Sequence, residues 1–285
     1  MSHPAEPAMR RFAVLTAGVT LALILAGGFV TTTRTGDTIP TWPKSWGRME
    51  VGWPVEWTHR AFAGTVAILV TVLAFWIQRR EPRPWVRKLA WGAFAAVLVQ
   101  ALLGGLRVHQ YFPKATAIVH ATLAQVVFST LVCLALVLSE AWTRIRSDDS
   151  AAEAAGIGRA TTLFAFLQLI AGAVTRHTGW GLAVHLVGAA LVLVHVSIFA
   201  SRLFLTPLRK GASALLWILG VQVSLGLGTW AITASGFERS HHAPVLEIVT
   251  VSAHVAIGAA LLATSLAVTL VCHRSRAVAP ELALA

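Results

Sequence analysis

Long apolar runs separated by short polar clusters make up most of the chain. A helix needs about 20 consecutive apolar residues to cross the hydrocarbon core of a bilayer. Eight runs approach that length: 12–32, 56–77, 89–106, 116–139, 160–175, 182–204, 212–232 and 247–272. The run 160–175 is the shortest. The first run follows Arg10 and Arg11, is long, and lacks a small-residue cleavage pattern, so it reads as a span rather than a removable leader. The pattern predicts an all-α polytopic membrane protein with eight transmembrane helices.

The two halves of the pattern repeat. Span 1 ends GGFVTTTRTG (27–36) and span 5 ends AGAVTRHTG (171–179); span 3 carries VQALLGG (99–105) and span 7 VQVSLGLG (221–228). His59 in span 2 matches His185 in span 6, and His120 in span 4 matches His254 in span 8. Matched positions in spans 2, 3 and 4 lie 126, 122 and 134 residues before their partners, a drift that loop lengths absorb. Each half has an even number of spans, so both enter the membrane in the same sense. The expected architecture is two four-helix bundles related by a pseudo-twofold axis along the membrane normal. The predicted organisation is a bundle over 1–139, a linker over 140–159 and a second bundle over 160–285.

Composition agrees with the pattern. Of the 285 residues, 56% are hydrophobic and 12% charged, and the formal net charge is +11. A soluble or disordered protein is excluded, because so few charges cannot cover a folded surface. The basic residues sit in clusters between spans, which is a topology signal rather than a nucleic-acid patch. With the N-terminus inside, fifteen of the 23 Lys and Arg residues fall inside and eight outside, including Lys44, Arg48 and Arg239. Both termini are therefore expected in the cytoplasm. Trp42, Trp46, Trp53, Trp57, Trp180 and Trp230 mark the outer ends of spans, as an interfacial aromatic belt does. Cys133 and Cys272 both lie in apolar runs and imply no disulfide framework.

Eleven histidines are present. His3 and His273 lie at the tails, and His109, His177, His241 and His242 in outside loops. The other five, His59, His120, His185, His195 and His254, lie inside apolar runs, where an ionisable side chain is costly and marks function by default. Four of them occupy equivalent places near the outer ends of the even spans. Two histidines from neighbouring helices at one depth can bind an iron porphyrin from both faces. Copper or zinc would call for a third or fourth ligand at that depth. Two pairs therefore point to two haem sites near the outer face. His195 lies about 15 Å deeper than His185, has no counterpart, and reads as a polar core residue.

The halves differ at one carboxylate. Glu56 precedes His59 by three residues and so shares its helix face, whereas Leu182 stands at the matching place in the second half. Glu56 can handle protons at the mouth of a haem pocket, or it can be an interfacial carboxylate paired with Arg60 or Arg48. Arg60, Arg107 and Arg176 near the outer ends are candidates for haem propionates, or are solvated charges.

The segments TRTGDTIPTWPKSWGRM and EWTHRAFAG (within 33–64), followed by GGLRVHQYFP and IVHATLAQ (within 104–125), resemble the haem A synthase family, and the resemblance runs through both halves. ExxHR after a WP-containing outside loop is its most specific part. The resemblance implies conversion of haem O to haem A, by two successive hydroxylations of the C8 methyl and loss of water to a formyl group. It implies that His59 and His120 bind the substrate porphyrin iron, that Glu56 is the catalytic carboxylate, and that His185 and His254 hold a haem b that passes electrons. It further implies a haem O synthase as upstream partner, service to assembly of haem-copper terminal oxidases, an unidentified electron donor, and a plasma membrane of bacterial or archaeal type.

Many members carry a cysteine pair in the first outside loop. Here the stretch is Ile39-Pro40-Thr41-Trp42-Pro43-Lys44-Ser45, without cysteine. Loop shape has to come from Pro, Trp and packing instead, in a cysteine-free subtype or in a relative with altered activity; Glu56 and the four histidines favour the subtype. Two other readings compete: a non-catalytic dihaem b-type electron carrier, which needs no Glu56, and a transporter with histidine proton relays, which binds no haem.

Overall fold

The computed structural model describes residues 6–36, 38–43, 52–109, 113–234 and 245–282. Every regular element among them is a helix. In chain order these are α1 (Pro7–Thr32), α2 (Trp53–Arg80), α3 (Pro84–Val108), α4 (Pro113–Val137), α5 (Glu140–Thr143), α6 (Asp149–Glu153), α7 (Ala155–Thr178), α8 (Leu182–Leu203), α9 (Arg209–Ala234) and α10 (Val245–Leu282). Eight of them are long and apolar enough to cross a membrane. The chain is an integral membrane protein.

Local chemistry sets the ends of these helices. Proline occupies the first turn of α1, α2 and α3, where the missing N–H is no loss. Gly52 before α2 and Gly181 before α8 adopt left-handed backbone, φ 99° and 90°, which a side chain would strain. The span that looked short, 160–175, lies within a helix of 24 residues, Ala155–Thr178. Its apolar run is bounded by Arg159 and Arg176, but neither residue stops the helix; α7 ends at Gly179, φ 74°.

The segment after span 4 is largely ordered. Ser139 and Asp148 cap α5 and α6, accepting from Trp142 N at 3.2 Å and Ala151 N at 2.8 Å. Trp142 is buried under the Arg274 guanidinium, 5.2 Å from the ring centre. Residues 155–159 already form the first turn of α7.

Helices α1 to α4 pack as a ring, each against the next and α4 back against α1; α7 to α10 do the same. Between the rings α10 packs on α1 and α4, and α4 on α7. Under the repeat, α1–α10 corresponds to α7–α4, and α4–α10 lies at the pseudo-axis. Apolar burial gains little between helices already in lipid, so close contact depends on small residues. Gly28 of α1 lies on Ser252 of α10, and a Cβ there would stand 2.8 Å from the serine Cβ. One apolar core joins α1–α4 to Ala256, Ala259 and Ala263 of α10, and a second lies between α8, α9 and the far end of α10. Large residues such as Leu15, Ile68, Leu102, Leu163 and Trp217 are exposed on the outer faces, as lipid contact requires.

Candidate functional site

Each of the four matched histidines rests against a glycine on the helix that precedes its own. His59 on α2 faces Gly27 on α1, and a Cβ there would stand 3.3 Å from the imidazole Cε1. The corresponding distances are 3.7 Å for Gly104 and His120, 3.1 Å for Gly172 and His185, and 3.1 Å for Gly226 and His254. At Gly27, Gly172 and Gly226 the missing Cβ lets an imidazole lie on the helix backbone, whereas Gly104 would leave room for one. The repeat seen in the sequence is thus a repeat of packing: an odd helix offers a glycine, and the next helix lays a histidine on it.

His185 and His254 face each other with ring centres 6.4 Å apart and planes at 80°. Two imidazoles on opposite sides of one metal, with metal–nitrogen bonds of about 2 Å, place their ring centres about 6 Å apart. The spacing therefore fits one iron between them. The Nδ1 atoms of His59, His120 and His254 are buried without a hydrogen bond. Their rings lie beside the backbones of Leu23, Gln100 and Gln222. Neutral imidazoles with unspent nitrogen atoms are the donor set that haem iron takes. Among the described residues no group of three or more His, Cys, Asp and Glu side chains converges.

His195 lies apart from both pairs. Its Nδ1 is bonded to the carbonyl of Leu191 at 2.8 Å within its own helix, and its ring packs on Phe164 at 4.4 Å. His3, His241, His242, Lys44, Trp46, Arg48 and Arg239 lie outside the described residues.

Glu56 is buried, and both its oxygens are engaged. Oε2 accepts from the Thr38 hydroxyl at 3.0 Å and the Ile39 amide at 2.9 Å. Oε1 accepts from Arg60 Nε at 3.0 Å and from its terminal nitrogen at 2.5 Å. Arg60 also donates to the carbonyls of Thr41 at 2.6 Å and Ile39 at 2.9 Å. The ion pair with Arg60 thus exists, and it does more than neutralise a charge: it fastens residues 38–41 over the end of α2 that carries His59. Ile39 is fully buried there. Trp42 covers Gly105, where a Cβ would stand 2.7 Å from the indole, and the Arg107 guanidinium fills the space beside Gly36. In this chain, polar clamps and glycine contacts hold the described part of the loop.

Of the arginines considered for propionates, Arg60 is committed to Glu56 and the loop. Arg176 reaches across to the other half and donates to the Thr32 hydroxyl at 2.7 Å.

Sequence reasoning missed several polar groups around the histidines. Gln168 Nε2 lies 3.0 Å from His185 Nδ1 and donates to the His185 carbonyl at 2.8 Å. Gln222 Nε2 lies 3.4 Å from His254 Nε2. The signal was present, since Gln100 and Gln222 stand in the matched segments of spans 3 and 7, but it marked the repeat without marking its purpose. Glu247 was also missed. It is buried, its Oε2 lacks a partner, and it stands two helical turns before His254 on the same helix face.

The comparisons with known proteins agree with this geometry. A family model described as cytochrome oxidase assembly protein matches residues 49–188, the stretch that carries Glu56, His59, His120 and His185. The chain is 28% identical over 262 residues to heme A synthase of Symbiobacterium thermophilum, covering 77% of this chain and 84% of that one. It is 32% identical over 133 residues to heme A synthase of an Exiguobacterium species, 44% of each chain. It is 28% identical over 191 residues to heme A synthase of Bacillus pumilus, covering 62% of this chain and 61% of that one. Eight membrane helices, histidines repeated in register and these relatives agree: the chain is similar to the heme A synthases over most of its length.

Proposed function

We propose that this protein is a haem A synthase that oxidises the C8 methyl of haem O to a formyl group, with substrate held in the first bundle and a resident haem b in the second. The observation that carries this reading is the fourfold glycine–histidine packing, with one pair of rings 6.4 Å apart. His59 and His120 hold the substrate iron; His185 and His254 hold haem b. Both sites lie toward the outer ends of the helices, with both termini in the cytoplasm of a bacterial or archaeal cell. A haem O synthase supplies the substrate, and haem-copper oxidase assembly uses the product.

When bound, the iron porphyrins supply the oxidising power and the electron path that an unactivated methyl group needs. The chain's own residues do the rest. The glycines let the imidazoles approach the pocket at fixed positions. Residues 38–43, clamped by Arg60 and by Trp42, cover the outer mouth and keep bulk water from the reacting edge. Glu56 Oε2, shared with the Thr38 hydroxyl, is the atom that takes and returns a proton, and Thr38 is the first relay outward. The Arg60 guanidinium keeps the carboxylate aimed during that exchange.

The test is pigment extraction from cells that make haem O. Haem A is expected when this chain is present and absent without it. Failure to form haem A in a preparation that holds both porphyrins would overturn the proposal.

A further inference from the structure

The four glycine–histidine units are alike except at one position. Four residues before the cradle glycine stands Gln100 for His120, Gln168 for His185 and Gln222 for His254, but Leu23 for His59. The local sequences QLIAG (168–172) and LILAG (23–27) make the exchange plain.

Each glutamine has an amide oxygen to offer. Oε1 of Gln100, Gln168 and Gln222 is buried without a partner in every case, and Nδ1 of His120 and His254 is likewise unsatisfied. Gln168 already touches His185, and Gln222 touches His254. Which end of an amide points where is an assignment; exchanging the two ends of Gln168 sets its Oε1 on His185 Nδ1, while Gln222 lies on the Nε2 side of His254. Such a bond fixes the tautomer, holds the ring plane and raises the basicity of the nitrogen that faces a metal. His59 has the same unsatisfied Nδ1, but the side chain at the matching place is aliphatic. Beyond the Gly27 contact, its ring has the backbone of Leu23 beside it, as the other three rings have the backbones of Gln100, Gln168 and Gln222.

Iron held by two imidazoles has no position left for a reactant, so chemistry at the iron requires one of them to leave. We infer that His59 is the ligand that leaves, because Leu23 stands where the other three histidines have a glutamine to hold them. This rests on the proposed function and adds to it the side on which the site opens. That side is the Glu56 side, since Glu56 stands one turn before His59 on the same face. The second pair has a glutamine beside both rings, as a site that only passes electrons requires.

The experiment uses the purified full chain carrying its haem, reduced and titrated with carbon monoxide, which binds only where an axial position opens. Wild type is expected to bind at one of two haems, and Leu23→Gln to lower that binding about tenfold with haem content unchanged. Gln168→Leu together with Gln222→Leu should create carbon monoxide binding at the second haem. Binding within twofold of wild type in haem-loaded Leu23→Gln overturns the inference. If that variant does not accumulate, the double glutamine variant decides: no new binding overturns the inference just as surely. His59→Ala should retain binding at the first haem, whereas retention in His120→Ala with loss in His59→Ala would reverse the assignment. A wild-type chain that holds no haem would overturn the proposed function itself, which is a separate result.

Discussion

The two halves share a scaffold and differ at the outer mouth. In the second half, α7 ends at Gly179 and α8 begins at Leu182, so the turn is minimal and His185 lies in the first turn of its helix. In the first half α2 begins at Trp53, one turn earlier relative to its histidine, and Glu56 follows directly on that added turn. The loop before it is long enough to fold back, and Glu56 and Arg60 fasten it. At the positions matching Glu56 and Arg60 the second half has Leu182 and Leu186. Among the described residues, one extra turn of helix, two charges and a clamped loop segment distinguish the histidine end of the first half from that of the second.

The sharpest way to break this comparison is to remove the carboxylate. Glu56→Gln is expected to lower haem A formation by at least about 100-fold, as loss of a proton-transferring group does, while both haem spectra remain. Pigment extraction beside an absorption spectrum reads both, and retained synthesis would remove Glu56 from the chemistry. Arg60→Ala leaves Glu56 buried without its countercharge and should destabilise the loop by about 3 kcal/mol. Amide exchange at Thr38 and Ile39 would rise while exchange in α8 stays unchanged.

The cradles predict a graded series. Gly172→Ala and Gly226→Ala place a methyl 3.1 Å from an imidazole carbon and should reduce haem retention in the second site about tenfold. Gly27→Ala, at 3.3 Å, should act more weakly on the first site, and Gly104→Ala, at 3.7 Å, should be tolerated. Haem-to-protein ratios read the order, and equal effects at all four would show that the contacts do not set the rings.

The smallest effect concerns the opposite ends of the bundles. The α2–α3 turn is held by Glu81, which accepts from Arg83 Nε at 2.6 Å and from its backbone amide at 3.0 Å. Burial raises the Glu81 pKa, but the Arg83 bonds and charge outweigh it, so its carboxyl titrates below the usual range. A lowered folded pKa gives stability that is present above the unfolded value and lost as pH falls through the folded one. The matching α8–α9 turn is held by the neutral Thr206 hydroxyl. Acid should therefore loosen the first turn and not the second. Glu81→Gln should lower the melting temperature at neutral pH by about 2–4 °C and remove that acid dependence.

Much of this was legible in the sequence because the bilayer is a strict solvent. Backbone groups in lipid must be satisfied within a helix, so eight apolar runs give eight helices. The repeat and the membrane histidines were visible for the same reason: polar residues are rare there, and their spacing stands out. The short run 160–175 under-reported α7 because hydropathy stops at Arg159 and Arg176, whereas the backbone stops at glycine. Glu56 was legible as a carboxylate one turn from a histidine, with Arg60 as a candidate partner, but its two bonds from the loop were not, since those donors lie 17 and 18 residues away.

The sequence by itself determined the number of spans, their pairing into two like halves and the chemistry of the groups placed in lipid. Those follow from composition and periodicity, which are local. Only the tertiary structure decided which glycine carries which histidine, that Arg60 and Trp42 hold the described part of the loop, and that Leu23 breaks a pattern three glutamines keep. Those are contacts made across helix and loop surfaces, and helix periodicity fixes which face a residue is on but not what packs against it.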